Sequence, residues 1–424
     1  MITKSIEIAN GVKFNYIKTD KFKTNYISFN FISALDGERA HLNTLIPAVL
    51  MRGTEKYKTQ ADINKRLQFL YSGEISARND KLGEYQIFGL KANMLDNRYT
   101  RGTDVTEGMV DIICDIIFNP YLENGIFSDS YVEGEKINLV DAIDAEINNK
   151  TRYSMLRLNE EMFRGEVFGI SRYGTKDQVN AVTAKELYEA YKDMLSKCRA
   201  EIYFVGNCDF EKVAEKIRSH FAGIERSAED AKAADVVLSA KEVKQVVDTE
   251  KVNQGKLCLG FRMGGRPDID KYYLMQLFSE IYGGSPTAKL FMNVREKLSL
   301  CYYCRSIVYY RSASMIVASG IEDKNKQVAE NEIVAQLESI KRGEITEEEL
   351  ESAKKSLKNG YMQVYDSAEG MEAWNLLRGF GESVADPAEE CKKVDKATVA
   401  DIASLASKIT LDTVYFLKGE DKNG

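Results

Sequence analysis

Histidine is almost missing from this chain: His41 and His220 are the only two among 424 residues. They lie far apart in sequence, in different candidate elements, so they do not announce a shared metal centre. His41 has Asp36 and Glu38 nearby, but a solvated polar residue at a helix start is the stronger reading than a makeshift metal site. Basic runs are also missing, and a net charge of -7 with a pI near 5.4 argues against a nucleic-acid surface. No apolar stretch approaches the ~20 residues that a membrane-spanning helix needs, so no membrane insertion is expected. The N-terminus has no cationic start followed by an apolar core, so a signal peptide is not evident. The seven cysteines are odd in number and lack a framework spacing, which suits a reducing compartment. Together these absences predict a cytoplasmic, soluble protein.

What is present fits a globular protein large enough for two or more domains with substantial cores: 44% hydrophobic and 29% charged residues. The chain also repeats itself. Val182–Asp209 aligns without gaps on Val394–Asp421, an offset of 212, with Thr183 and Asp395 at the same position as helix N-caps. Thr183 has Glu186 three residues on, a capping-box spacing, and Thr346 with Glu349 repeats that spacing before another helix. Each copy runs from helix to strand, Ile202–Val205 against Val414–Leu417. Each half also opens on a strand. Ile27, Phe29 and Phe31 alternate with Ser28 and Asn30, and Leu257, Leu259, Phe261 and Met263 alternate with Cys258, Gly260 and Arg262. The stretch 226–250 is rich in alanine, lysine and acids and reads as a linker. The predicted domains are therefore 1–225, a linker over 226–250, and 251–424.

The segment Gly283–Cys304 carries the clearest candidate chemistry. Leu290, Phe291 and Val294 fall at helical intervals after a Gly-Gly-Ser-Pro turn, and Leu300–Val308 turns tyrosine-rich and β-branched like a strand. Arg295 near the helix end and Tyr302 near the strand start can be aimed at one place. A guanidinium and a phenol both donate hydrogen bonds and suit a peptide carbonyl or a developing oxyanion. On spacing alone, an arginine and a tyrosine seven apart more often pack and pair at a surface. Cys301 and Cys304 have the Cys-x-x-Cys spacing, but residues three apart on a strand point to opposite faces. The two sulfurs are therefore expected not to share a metal, and both read as packing residues.

The run Arg295-Glu-Lys-Leu-Ser-Leu-Cys-Tyr302 resembles the R-E-x-x-G-L-x-Y signature of the pitrilysin/insulinase-like zinc metallopeptidases, in their small processing-peptidase branch, with Ser299 at the glycine. Met51–Tyr57, Ser76-Ala77 and Ile345–Leu350 resemble further blocks of that family in the right order. The resemblance implies an α+β fold of two homologous halves, each an antiparallel sheet packed by helices, facing one another like a clamshell.

It also implies a zinc motif, His-x-x-Glu-His, just before the Gly-Thr block. Carried onto this sequence, those positions are Thr44, Pro47 and Ala48, none of which offers the nitrogen, thiolate or carboxylate donors that zinc requires. Glu135-Lys136 resembles the start of the helix bearing the third ligand, and Ala142 stands where that ligand would be. Leu42, Leu45, Ile46, Val49 and Leu50 still form a buried helical stripe, and Pro47 is expected to bend or loosen that helix.

In the family's heterodimers one subunit carries zinc and the other the arginine–tyrosine pair. The implied function is thus a non-catalytic, substrate-binding subunit of a heterodimeric peptide-processing metallopeptidase. It would hold no metal and no cofactor, and would present Arg295 and Tyr302 to the zinc of a homologous partner. Purified alone, such a chain could pair with itself. The alternative, from a different class, is a non-enzymatic peptide-binding or scaffold protein on the same fold.

Overall fold

Among the described residues, eleven strands lie in two sheets built to one plan. The first sheet contains β1 (Lys4–Ala9), β2 (Val12–Lys18), β3 (Thr24–Ala34), β4 (Glu74–Leu82), β5 (Tyr85–Leu95) and, beyond a short ribbon of β6 (Leu122–Glu123) and β7 (Ile126–Phe127), β8 (Arg199–Gly206). Their order is β1-β2-β8-β3-β5-β4, with β8 parallel to β2 and antiparallel to β3. The second contains β9 (Lys244–Glu250), β10 (Gly255–Arg262), β11 (Cys301–Tyr309), β12 (Ser314–Ile321) and β13 (Thr410–Gly419), ordered β11-β12-β10-β13-β9. Here β13 is parallel to β9 and antiparallel to β10. The second sheet is the first without its edge strand β1. This computed structural model describes residues 2–228, 232–379 and 385–420.

Ile202–Val205 lies in β8 and Val414–Leu417 in β13, at equivalent places, as the repeat predicts. The caps agree less closely. Thr183 caps the helix Ala184–Lys197 through the Glu186 amide. In the second half the cap is Thr398, three residues beyond Asp395, opening the shorter helix Val399–Ala406. Asp395 instead ends the helix Pro387–Asp395. The ungapped alignment therefore holds at the strand and slips at the helix, because the second copy spends fewer residues on it. The capping box at Thr346 and Glu349 forms as expected.

The sequence pattern predicts half-buried strands, and the structure buries both faces. Phe29 and Phe31 of β3 enter the main core with the helices Ala40–Leu50, Val105–Phe118 and Ala184–Lys197. On the opposite face, Ser28 and Asn30 are fully buried, not wet. Met371 and Leu376 of the helix Ala368–Gly379 pack there against Tyr26, Ile87 and Tyr203. The second sheet is covered in the same way. Leu158 of the helix Lys150–Met162 packs on Cys258, Tyr415 and Leu417, and a Cβ on Gly260 would come within 2.6 Å of Met162 Sδ.

Each covering helix comes from the other half of the sequence. The compact units are 1–143 with 170–233 and 363–385, and 144–169 with 234–362 and 386–424. They differ from the contiguous domains 1–225 and 251–424 because a two-faced sheet needs a second layer, and each half lends one. The stretch 226–250, read from sequence as a linker, ends in β9, the partner of β13.

Polar anchors hold these loans. Glu372 accepts from Ser28 Oγ at 2.8 Å, Asn30 Nδ2 at 3.0 Å, Tyr26 OH at 3.2 Å and the Arg78 guanidinium at 2.5 Å. Burial, with the Glu372 charge beside it, raises the Tyr26 phenol well above its usual range. In the second unit Arg262 donates to Asp412 at 2.8 Å, Glu166 at 2.6 Å and the Met162 carbonyl at 2.9 Å. Breaking one partner of a buried pair strands the other charge, so Glu372→Ala should destabilise the first unit by about 3–5 kcal/mol. Urea unfolding measures this, and a loss below about 1 kcal/mol would show the anchor to be ornamental.

Candidate functional site

The helix Ala40–Leu50 is set by its buried stripe Leu42, Leu45, Ile46, Val49 and Leu50. It starts where the Arg39 and Ala40 amides donate to the Asp36 carbonyl. It runs through Pro47 without ending, whereas the sequence suggested a bend or loosening; the ring is buried and the Met51 amide still reaches the Pro47 carbonyl at 3.4 Å. His41 is buried in its first turn rather than solvated, and burial lowers its basicity.

Neutral amides occupy the ground where a metal would need donors. Thr44 Oγ1 donates to the Ala40 and Arg172 carbonyls at 2.9 and 2.7 Å and accepts from Asn79 Nδ2 at 2.7 Å. Gln86 Nε2 donates to the Ala40 carbonyl, the Arg172 carbonyl and Asn79 Oδ1, and Asn43 Nδ2 donates to Gln86 Oε1 at 2.9 Å and Ser33 Oγ at 3.1 Å. Thr44 is thus committed on both its donor and acceptor sides. Pro47 and Ala48 offer no donor, and Ala142 is an exposed alanine.

Cations stand beside this network. Arg172 donates to the Asn79 carbonyl at 2.9 Å, and Lys81 donates to the Ile170 carbonyl at 2.7 Å. Burial, helped by the Arg172 charge, pushes the Lys81 amine down to about 8. A divalent cation does not fit such a set. No group of three or more His, Cys, Asp or Glu side chains that could hold a metal occurs among the described residues. The Gly-Thr block survives as scaffold: Arg52 pairs with Glu135, and Thr54 Oγ1 donates to Asp115 at 2.7 Å.

The arginine–tyrosine corner lies in the second unit. Leu290–Lys297 is a wide helix, with the Leu298 amide bonded to the Asn293 carbonyl five residues back. Arg295 lies over the Phe291 ring at 4.5 Å and 3.5 Å from Glu296. Ser299 stops the helix at φ +51°, the left-handed conformation that glycine adopts without strain. The turn is therefore one that a glycine at this position would make without strain.

Tyr302 follows in β11, where Cys301 pairs with Ile321 and Tyr303 with Gly320. Tyr302 is the extra residue of a β-bulge and stands out 74% exposed. That bulge also corrects the reading of the cysteines. Cys301 faces Ile321 and Cys304 faces Ser319, two residues apart on β12, so both sulfurs lie on one face. The spacing alone conceals this because it fits a regular strand equally well.

Over nearly its whole length the chain is similar to the "Probable inactive metalloprotease YmfF" of Bacillus subtilis (strain 168): 32% identity over 416 residues, 97% of this chain and 96% of that protein. The chain belongs to the M16 peptidase family. The profile of the "Peptidase M16 inactive domain" matches residues 181–357 of this M16 member. A solved structure of a conserved protein from Enterococcus faecalis V583 covers 99% of both chains at 28% identity, with a TM-score of 0.89. The "Antilisterial bacteriocin subtilosin biosynthesis protein AlbE" of Bacillus subtilis is 26% identical over 296 residues, 68% of this chain and 72% of that one. Family membership, the α+β fold and the two homologous halves expected from the signature are thereby established. No helix among the described residues is long and apolar enough to cross a membrane.

The purified chain should retain no stoichiometric zinc after zinc loading and dialysis; elemental analysis finding a tightly held zinc in each chain would contradict the donor count. The Lys81 amine should titrate near about 8 and move upward in Arg172→Gln, because a neighbouring positive charge is removed. NMR of isotopically methylated lysines reads both, and a Lys81 resonance unmoved by the substitution would refute the coupling. With its folded value below the ordinary 10.5, the unfolded chain binds more protons between those values, so this residue's contribution to stability rises with pH across that window.

Proposed function

We propose that this M16 member is the non-hydrolytic, substrate-binding subunit of a two-chain peptide-processing metallopeptidase, presenting Arg295 and Tyr302 to a zinc site carried by a homologous partner. The observation that carries this reading is the bulge at Tyr302. It takes one phenol out of a sheet ladder and leaves it exposed, directly after a helix stop that holds a strained serine. Bulges commonly re-aim side chains beside functional sites. Arg295 lies in the last turn of the neighbouring helix, and its positive charge acts on Cys301, the residue before Tyr302. In this reading the zinc, held by the partner, would supply Lewis-acid activation of the scissile carbonyl and of water. Tyr302 donates to the oxygen as negative charge develops on it, and Arg295 holds an adjacent peptide carbonyl.

The loss of donors at Thr44, Pro47 and Ala48 supports a division of labour over self-sufficient hydrolysis. Similarity to AlbE, named for biosynthesis of a bacteriocin, favours a processing role over general degradation. The competing reading is a peptide-binding scaffold without a hydrolytic partner, favoured by Arg295 being stacked on Phe291 and close to Glu296.

In a complex reconstituted with a zinc-bearing homologue, Tyr302→Phe should lower turnover by about tenfold or more, as loss of an oxyanion donor does. Association, followed by size-exclusion chromatography, should be unchanged. A variant complex that assembles and cleaves like the wild type would leave the scaffold reading.

A further inference from the structure

Cys301 and Cys304 belong to neither the amide network nor the proposed peptide contacts, and their placement has a chemistry of its own. Their partners on β12, Ile321 and Ser319, are two residues apart. Two residues of strand span about 6.7 Å, at the upper end of the Cα separations, up to ~6.8 Å, that a disulfide bridges. The bulge makes this distance: in a regular strand, residues three apart would be farther and on opposite faces. Cys301 is half-buried while Cys304 is 4% exposed, the pairing of an accessible thiol with a sheltered one. We propose that Cys301 and Cys304 form a reversible dithiol–disulfide site, with Cys301 as the attacking thiol and Cys304 as the resolving one.

The surroundings favour that direction of attack. A hydrogen bond from Cys304 lowers the Cys301 thiol below its usual range, burial opposes this, and Ser319 and the Arg295 charge add to the lowering. The same contact, together with burial, raises Cys304. The thiolate is the nucleophile in thiol–disulfide exchange. With a low-molecular-weight disulfide as oxidant, the Cys301 thiolate attacks one sulfur of the oxidant. The oxidant's S–S bond breaks, a mixed disulfide forms and one small thiolate leaves. Cys304 then loses its proton to the departing group and attacks Cys301 Sγ, expelling the second small thiol. Two electrons pass from the protein dithiol to the oxidant, which ends as two thiols. The bridge closes over the bulged residue, Tyr302, and so fixes the turn on which that phenol stands. The site stands on the bulge and does not depend on the proposed partner.

Trypsin leaves both cysteines in one peptide, Leu298–Arg305. The native full-length chain is equilibrated with glutathione disulfide, quenched in acid, alkylated and digested. The expected result is loss of both alkylatable thiols from that peptide, a mass two hydrogens lighter, and full reversal by dithiothreitol. In Cys304→Ser the same treatment should instead trap a glutathione adduct on Cys301. Alkylation of both cysteines at every oxidant level would overturn the proposal, as would a wild-type peptide found only as the adduct.

Discussion

A sheet buried on both faces cannot be covered from one side, and that constraint organises this molecule. The face of β3 bearing Phe29 and Phe31 is packed by helices of its own half. The face bearing Ser28 and Asn30 is sealed by the helix Ala368–Gly379, and Lys150–Met162 does the same for β10 and β13. Each loan is fixed by a buried arginine bonded to carboxylates, Arg78 with Glu372 and Arg262 with Glu166 and Asp412. Such pairs add little net stability over apolar packing, but removing one partner is expensive, so they specify which helix belongs where. Neither half of the sequence contains a complete unit, and a cut within 226–250 would separate each sheet from its cover.

The strands and the repeat were legible because each rests on local residue identity. Alternation at Ile27–Phe31 marks a strand, and the strand of each repeat falls at the same offset. The exchange of helices was not legible. Ser28 and Asn30 read as a solvent face, and only the arrival of Glu372 from 342 residues away makes Asn30 a core residue. The bulge at Tyr302 was hidden for a related reason. A tyrosine-rich run fits a regular strand equally well, and the extra residue shows only against Ile321 and Gly320 of its partner. The polar network around Thr44 needed Asn79, Gln86 and the Arg172 carbonyl, drawn from two strands and a loop.

Around Thr44, the amides of Asn43, Asn79 and Gln86 form a hydrogen-bonded network with Lys81 and Arg172 beside it, so that ground is both satisfied and cationic. At the other corner, Ser299 holds a left-handed turn that costs it about 1 kcal/mol relative to glycine, and the chain still makes that turn. An exposed bulged tyrosine thus follows, three residues on, a serine held in the left-handed conformation.

The most direct test is to mix the chain with a zinc-bearing M16 homologue from the same genome and to measure peptide turnover against each chain alone. The account predicts that this chain alone cleaves nothing and that the mixture exceeds the homologue alone by about tenfold or more. Cleavage by the isolated chain, or a mixture no faster than the homologue by itself, would contradict it.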